Sequence, residues 1–143
     1  MSEVYQNKWW ECMELYIEEW KNVKGFEGLY QISNYGRVKS LKYNKSNKIK
    51  IMKVHQDKDW YIQVKLSKEA KQYTFKVHRL VATHFLENPD LKSEVNHINE
   101  IKDDNKVTNL QWVTPKENSN HGTRNRKISK RQKEAWKRKL GDF

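Results

Sequence analysis

The segment from Val95 to His121 constrains this chain more than any other part of it. Short apolar-alternating runs at Glu94–Asn96 and Leu110–Val113 flank a polar loop. Thr114-Pro115-Lys116-Glu117 then opens a helix, with a capping threonine, proline at the first position and glutamate at the third. Strand, loop, strand and helix in so short a span predict a hairpin with a helix against it. That arrangement gathers polar groups. His97 ends the first strand, Asn109 enters the second, Asn118 sits about one turn into the helix and His121 one turn further on the same face.

Upstream, Val77, Leu80, Val81 and Phe85 recur at helical spacing, and Asn88-Pro89 closes that helix because the residue before proline is driven out of the helical region. Before it lie alternating runs at Leu29–Ser33, Arg37–Leu41, Lys48–Val54, Tyr61–Ser67 and Tyr73–Val77, punctuated early by Gly25, Gly28 and Gly36. These read as a meander of short antiparallel strands with one wet, lysine-bearing face, Asn34-Tyr35-Gly36 forming a turn. At the start, Trp9, Met13, Tyr16, Ile17 and Trp20 form a helical apolar stripe from about Lys8 to Trp20. The fold class is therefore α+β. Its expected parts are an acidic aromatic helical head (1–19), a β-rich module (20–76), a strand-strand-helix core (77–121) and a basic helix or arm (122–143).

Charge separates these parts further. The 143 residues carry a net +11, which points to a polyanionic partner. The head sets Lys8 against five glutamates, whereas residues 122–143 hold nine Lys/Arg against Glu134 and Asp142. Phosphate neutralisation by Arg124, Arg126, Lys127, Lys130 and Arg131 in that tail would give salt-dependent, largely sequence-blind affinity. One cysteine, Cys12, excludes an internal disulfide framework and a multi-thiolate metal site. There is no long apolar run for a membrane span and no signal-peptide pattern, so a cytoplasmic protein without a membrane partner is expected.

Asn96-His97, Asn109-Leu110-Gln111-Trp112 and Glu117-Asn118 together resemble the pattern of the HNH, or ββα-metal, endonucleases, with Val77-His78-Arg79-Leu80-Val81-Ala82 and Asn88-Pro89 as lead-in. The resemblance runs from about Val77 to His121. It implies a metal-dependent endonuclease acting on double-stranded DNA, encoded by a phage or mobile element and working as monomer or homodimer. His97 would be the general base, its ordinary pKa being close to neutral, and Asn109 would hold it in orientation. Asn96 and Asn118, with His121 as a further candidate, would bind one divalent cation, Mg²⁺ or Mn²⁺. Two departures stand out: Asn96 replaces a carboxylate common in relatives, and Glu100 replaces a glycine. Asp103 or Asp104 is an alternative approach to the metal. The carboxylate-poor site also leaves open a DNA-binding protein with an inert core.

Trp20 followed by Gly25-Phe26-Glu27-Gly28-Leu29-Tyr30 and Asn34-Tyr35-Gly36-Arg37-Val38-Lys39-Ser40 resembles the nuclease-associated modular motif found ahead of such cores. That likeness implies a DNA-contacting β module; by their charge, Arg37, Lys39 and Lys42 are the residues expected to line its phosphate-facing surface, a scaffold hairpin with a solvated charged face being the alternative. Arg79, opening the next helix, is structural or a phosphate contact.

Overall fold

The computed structural model describes residues 17–122. Nine strands form three antiparallel sheets: β1 (Trp20–Asn22), β2 (Tyr30–Ser33), β3 (Val38–Tyr43) and β4 (Lys48–Ile51) in order; β5 (Val54–Gln56), β6 (Ile62–Lys68) and β7 (Lys71–Lys76); and the pair β8 (Glu94–His97) with β9 (Leu110–Val113). Helix α1 (Val77–Phe85) follows β7 directly, and α2 (Pro115–Asn120) follows β9. The expected meander is thus two sheets. The chain leaves one at Ile51 and enters the next at Val54, dividing the run expected from Lys48 to Val54.

Alternation explains how these strands bury. Val64 and Leu66 on β6 are fully buried while Lys65 between them is exposed, so one face of the strand is core and the other wet. On α1, Val77, Leu80 and Val81 recur at the helical repeat and face inward. They meet Val23 and Phe26 from the β1–β2 connection, Ile32 and Val38 from the first sheet, and Val95 and Leu110 from the β8–β9 pair in one cluster. The boundary expected at 76/77 is therefore a change of secondary structure within a shared hydrophobic interior. Phe26 sits at its rim, edge-on to Tyr30, Tyr73 and Phe75.

The α1 prediction holds, and Leu86, already extended, ends the helix two residues before Asn88. At α2 the capping box forms: the Thr114 hydroxyl accepts from the Glu117 amide and the Glu117 carboxylate from the Thr114 amide. The head differs. Trp20 opens β1 instead of closing a helix, because its backbone pairs with Ser33 across the sheet. Most of the head, and the tail from 123 onward with Arg124, Arg126, Lys127, Lys130 and Arg131, lie outside the described residues.

Candidate active site

The β8–β9 register sets His97 opposite Leu110 and Asn96 opposite Gln111, so His97 lies at the mouth of the hairpin loop. The loop between them is built largely from amides. Asn109 Nδ2 donates to Asn99 Oδ1 and to the Asp104 carbonyl, each at 2.9 Å, while its Oδ1 accepts from the Asn99 amide at 3.0 Å. Asn99 also turns the chain, its Oδ1 accepting from the Ile101 amide. Glu100 adopts φ +63°, the left-handed conformation that favours glycine.

His97 is 4% exposed, and its Nε2 lies 2.8 Å from Asn105 Oδ1. With that oxygen accepting, the ring proton is on Nε2 and the lone pair on Nδ1. Burial pushes the pKa of His97 down, opposed by the Asn105 bond and by Asp104; the nearby Lys102 ammonium adds to the depression. Asn109, expected to hold His97 in orientation, makes its side-chain bonds to Asn99 and the Asp104 carbonyl. Those bonds brace the loop that carries Asn105, whose Oδ1 is the side-chain atom that meets His97.

Asn105 is itself held by the first sheet. The Val107 amide donates to the Asn34 carbonyl at 2.8 Å, and a Cβ on Gly36 would stand 2.8 Å from the Asn105 Cβ. Gly36 has φ +82°, so the β2–β3 turn requires glycine both for its backbone and for this approach.

Two rings complete the wall beside His97. The His78 ring is 5.0 Å from His97, and Tyr61, stacked on His78 at 5.0 Å, is 6.1 Å from His97. Burial drives the His78 pKa down to about 3, so this ring is neutral. Lys76 and Lys102 place their ammonium groups 4.3 and 4.5 Å from the Tyr61 centroid, and Lys102 donates to the Asp59 carbonyl at 2.8 Å. Residue-by-residue reading missed Asn105, Tyr61, Lys102 and Glu94 as contributors. Only Asn105 carried a usable signal, an amide in a loop between a histidine and its motif asparagine.

On the other side of the hairpin, Asn96 is buried and its Nδ2 has no hydrogen-bond partner among the described residues. Asn118 Nδ2 donates to Glu94 Oε2 across 24 residues. No group of three His, Cys, Asp or Glu side chains capable of holding a metal occurs among the described residues. Asn118 carries an amide oxygen of the kind a hard, oxygen-preferring ion takes, and Asn96 would offer its Oδ1 where the unpartnered Nδ2 now stands once its amide is turned over. His121 is corrected in position. It is the C-cap of α2, not a residue on its face, and its Nε2 lies 3.2 Å from the Ile98 carbonyl.

The candidate DNA contacts divide. Arg37 is paired with Glu18, and Lys39 rests 4.2 Å over the Trp20 ring. Lys42, with Tyr43, Lys45 and Lys68, lines a groove of about 550 Å³ between two hairpin ends. Arg79 donates to the Ser93 carbonyl at 3.1 Å, tying α1 to the approach of β8, which favours its structural reading. No helix among the described residues is long and apolar enough to cross a membrane.

Comparison with known proteins agrees with this geometry. The NUMOD4 motif matches residues 18–67 and the HNH endonuclease family, HNH_3, residues 75–120. The DNA endonuclease I-HmuI of Bacillus phage SP01 is 48% identical over 100 residues, spanning 70% of this chain and 55% of that protein. An uncharacterized HNH endonuclease, L245, of Acanthamoeba polyphaga mimivirus is 39% identical over 119 residues, covering 82% of this chain and 34% of that one. A solved structure described as DNA binding and cleavage by the HNH homing endonuclease I-HmuI superposes with a TM-score of 0.68 at 43% identity, covering 82% of this chain and 66% of the other. This chain thus spans about half, or less, of the length of these curated relatives.

Proposed function

We propose that this chain, which belongs to the HNH homing endonucleases and carries a NUMOD4 motif ahead of its HNH core, hydrolyses phosphodiester bonds in double-stranded DNA with His97 as general base. The observation that carries the reading is the Asn105–His97 pair, which leaves a lone pair on Nδ1 of a histidine that directly follows Asn96 on its strand.

In the reaction a water gives its proton to His97 Nδ1 while its oxygen bonds to phosphorus. The bond from phosphorus to the 3′ oxygen breaks, and that oxygen takes a proton from solvent, leaving a 5′ phosphate and a 3′ hydroxyl. A depressed pKa keeps His97 in its basic form at neutral pH. One divalent ion, Mg²⁺ or Mn²⁺, bound by Asn96 and Asn118, would supply Lewis-acid stabilisation of the phosphate charge. Lys102 adds positive charge on the Tyr61 side, where a phosphate oxygen can pair with it. Arrival of DNA completes a site whose amides hold metal weakly alone. Lys39, Lys42 and the basic tail would supply phosphate contacts along the duplex. A phage-encoded enzyme working inside a bacterial host is the setting that fits the Bacillus phage SP01 relative.

Supercoiled plasmid incubated with Mg²⁺ or Mn²⁺ tests this. Wild type should relax it only with the metal, and His97→Ala should lose at least about a hundredfold in rate, the low end for a general base. Binding without cleavage under any divalent ion would support the inert-core reading, which the shortage of carboxylates around Asn96 favours.

A further inference from the structure

We infer that Glu94 is the carboxylate of the metal centre: it contributes the anionic oxygen that Asn96 and Asn118 lack and fixes the Asn118 amide with its own oxygen available to the cation. The inference rests on the metal-dependent reading above and adds a residue to it.

Three observations converge on Glu94. It stands two residues before Asn96 on β8, so both side chains leave the same face of the strand. Its Oε2 accepts the Asn118 Nδ2–H bond, which joins β8 to α2 and commits the nitrogen end of that amide. Asn96, on that same face, is buried with Nδ2 unpartnered, and turning its amide over would present Oδ1 at the same place. One strand face and one helix thus offer a carboxylate and two amides together.

Charge gives the second argument. The ion pairs among the described residues are Arg37 with Glu18, Lys76 with Asp57 and Lys92 with Glu117. Glu94 is half-buried and belongs to none of them. The other nearby acids have different work: Glu117 caps α2 and pairs with Lys92, and Asp104 accepts from Asn99. A partly buried carboxylate without a counter-ion is costly unless a cation arrives. The carboxylate that Asn96 displaces from the position before His97 is thereby regained two residues earlier.

Mn²⁺ binding to the full chain, read by electron paramagnetic resonance in the absence of DNA and again with a non-cleavable duplex, tests the assignment. Glu94→Gln keeps the size and the acceptor for Asn118 and removes only the charge. It should weaken Mn²⁺ about 10- to 100-fold, the range for an altered metal-supporting group, with the circular dichroism spectrum unchanged. Glu117→Gln should bind as wild type does. Adding Asn118→Asp to Glu94→Gln should restore affinity, because it returns a carboxylate to the same bonded pair. Wild-type affinity in Glu94→Gln, equal losses in both single variants, or no restoration would overturn the assignment while leaving the nuclease reading intact. Absence of Mn²⁺ binding by wild type with and without DNA would instead overturn the metal-dependent reading, and this assignment with it.

Discussion

The interior shared by β6 and α1 and the loop carrying His97 are held together by opposite means. In the first, Val64, Leu66, Val77 and Val81 have no exposed surface and interlock by shape. In the second, Asn99, Asn109 and Asp104 hold one another, and Asn105 meets His97, through directed bonds of 2.8 to 3.0 Å. Burial is non-directional and tolerates a small shift of partners, whereas an amide bond lost in the loop leaves a buried donor or acceptor stranded. The apolar region thus stores stability, and the amide loop stores geometry. Damage to each should be read by a different instrument.

The largest stability effect is expected in the interior. Leu66→Ala should cost about 2–5 kcal/mol of unfolding free energy in urea, with cleavage by the folded fraction close to normal. If cleavage per folded molecule fell as steeply, the separation between the two regions would be wrong. Next comes the seam between them. Gly36→Ala forces a side chain into positive φ and against Asn105, at a cost of about 1–3 kcal/mol, and should also slow cleavage because Asn105 must move.

The ring cluster predicts an acid-sensitive step. The His78 pKa in the folded protein is about 3, below its ordinary 6.5. Between those values the unfolded chain binds a proton that the native one does not, so stability falls as pH drops from 6.5 toward 3. The loss should reach about 2 kcal/mol by pH 5. His78→Phe should flatten urea midpoints measured between pH 7 and 5; an unchanged slope would place the titration elsewhere. Smallest in stability and sharpest in function is Asn105→Ala, which should cost about 1–2 kcal/mol for the broken bond yet lower kcat far more than it raises KM.

Much of this was legible in the sequence, for identifiable reasons. Strand and helix positions around the site followed from alternation and from Thr114 and Pro115, signals written in neighbouring residues. Glu100, read as standing where relatives carry glycine, takes φ +63°, a conformation that favours glycine. What escaped was long-range. Trp20 reads as the end of a helical stripe, yet pairing with Ser33 makes it a strand. Tyr61 and Lys102 reach the site through contacts spanning dozens of residues, and nothing local to either marks it. The sequence motif marks Asn109, which braces the loop, and only the folded loop shows that Asn105 is the amide that meets the histidine.

Imidazole nitrogen NMR of His97 in the full chain, labelled in its ring nitrogens and recorded at neutral pH, tests most directly that Asn105 sets the base. Wild type should show the proton on Nε2 with Nδ1 unprotonated, and Asn105→Ala should show a mixture of the two tautomers. A wild-type ring protonated on Nδ1, or a spectrum indifferent to Asn105, would contradict the account.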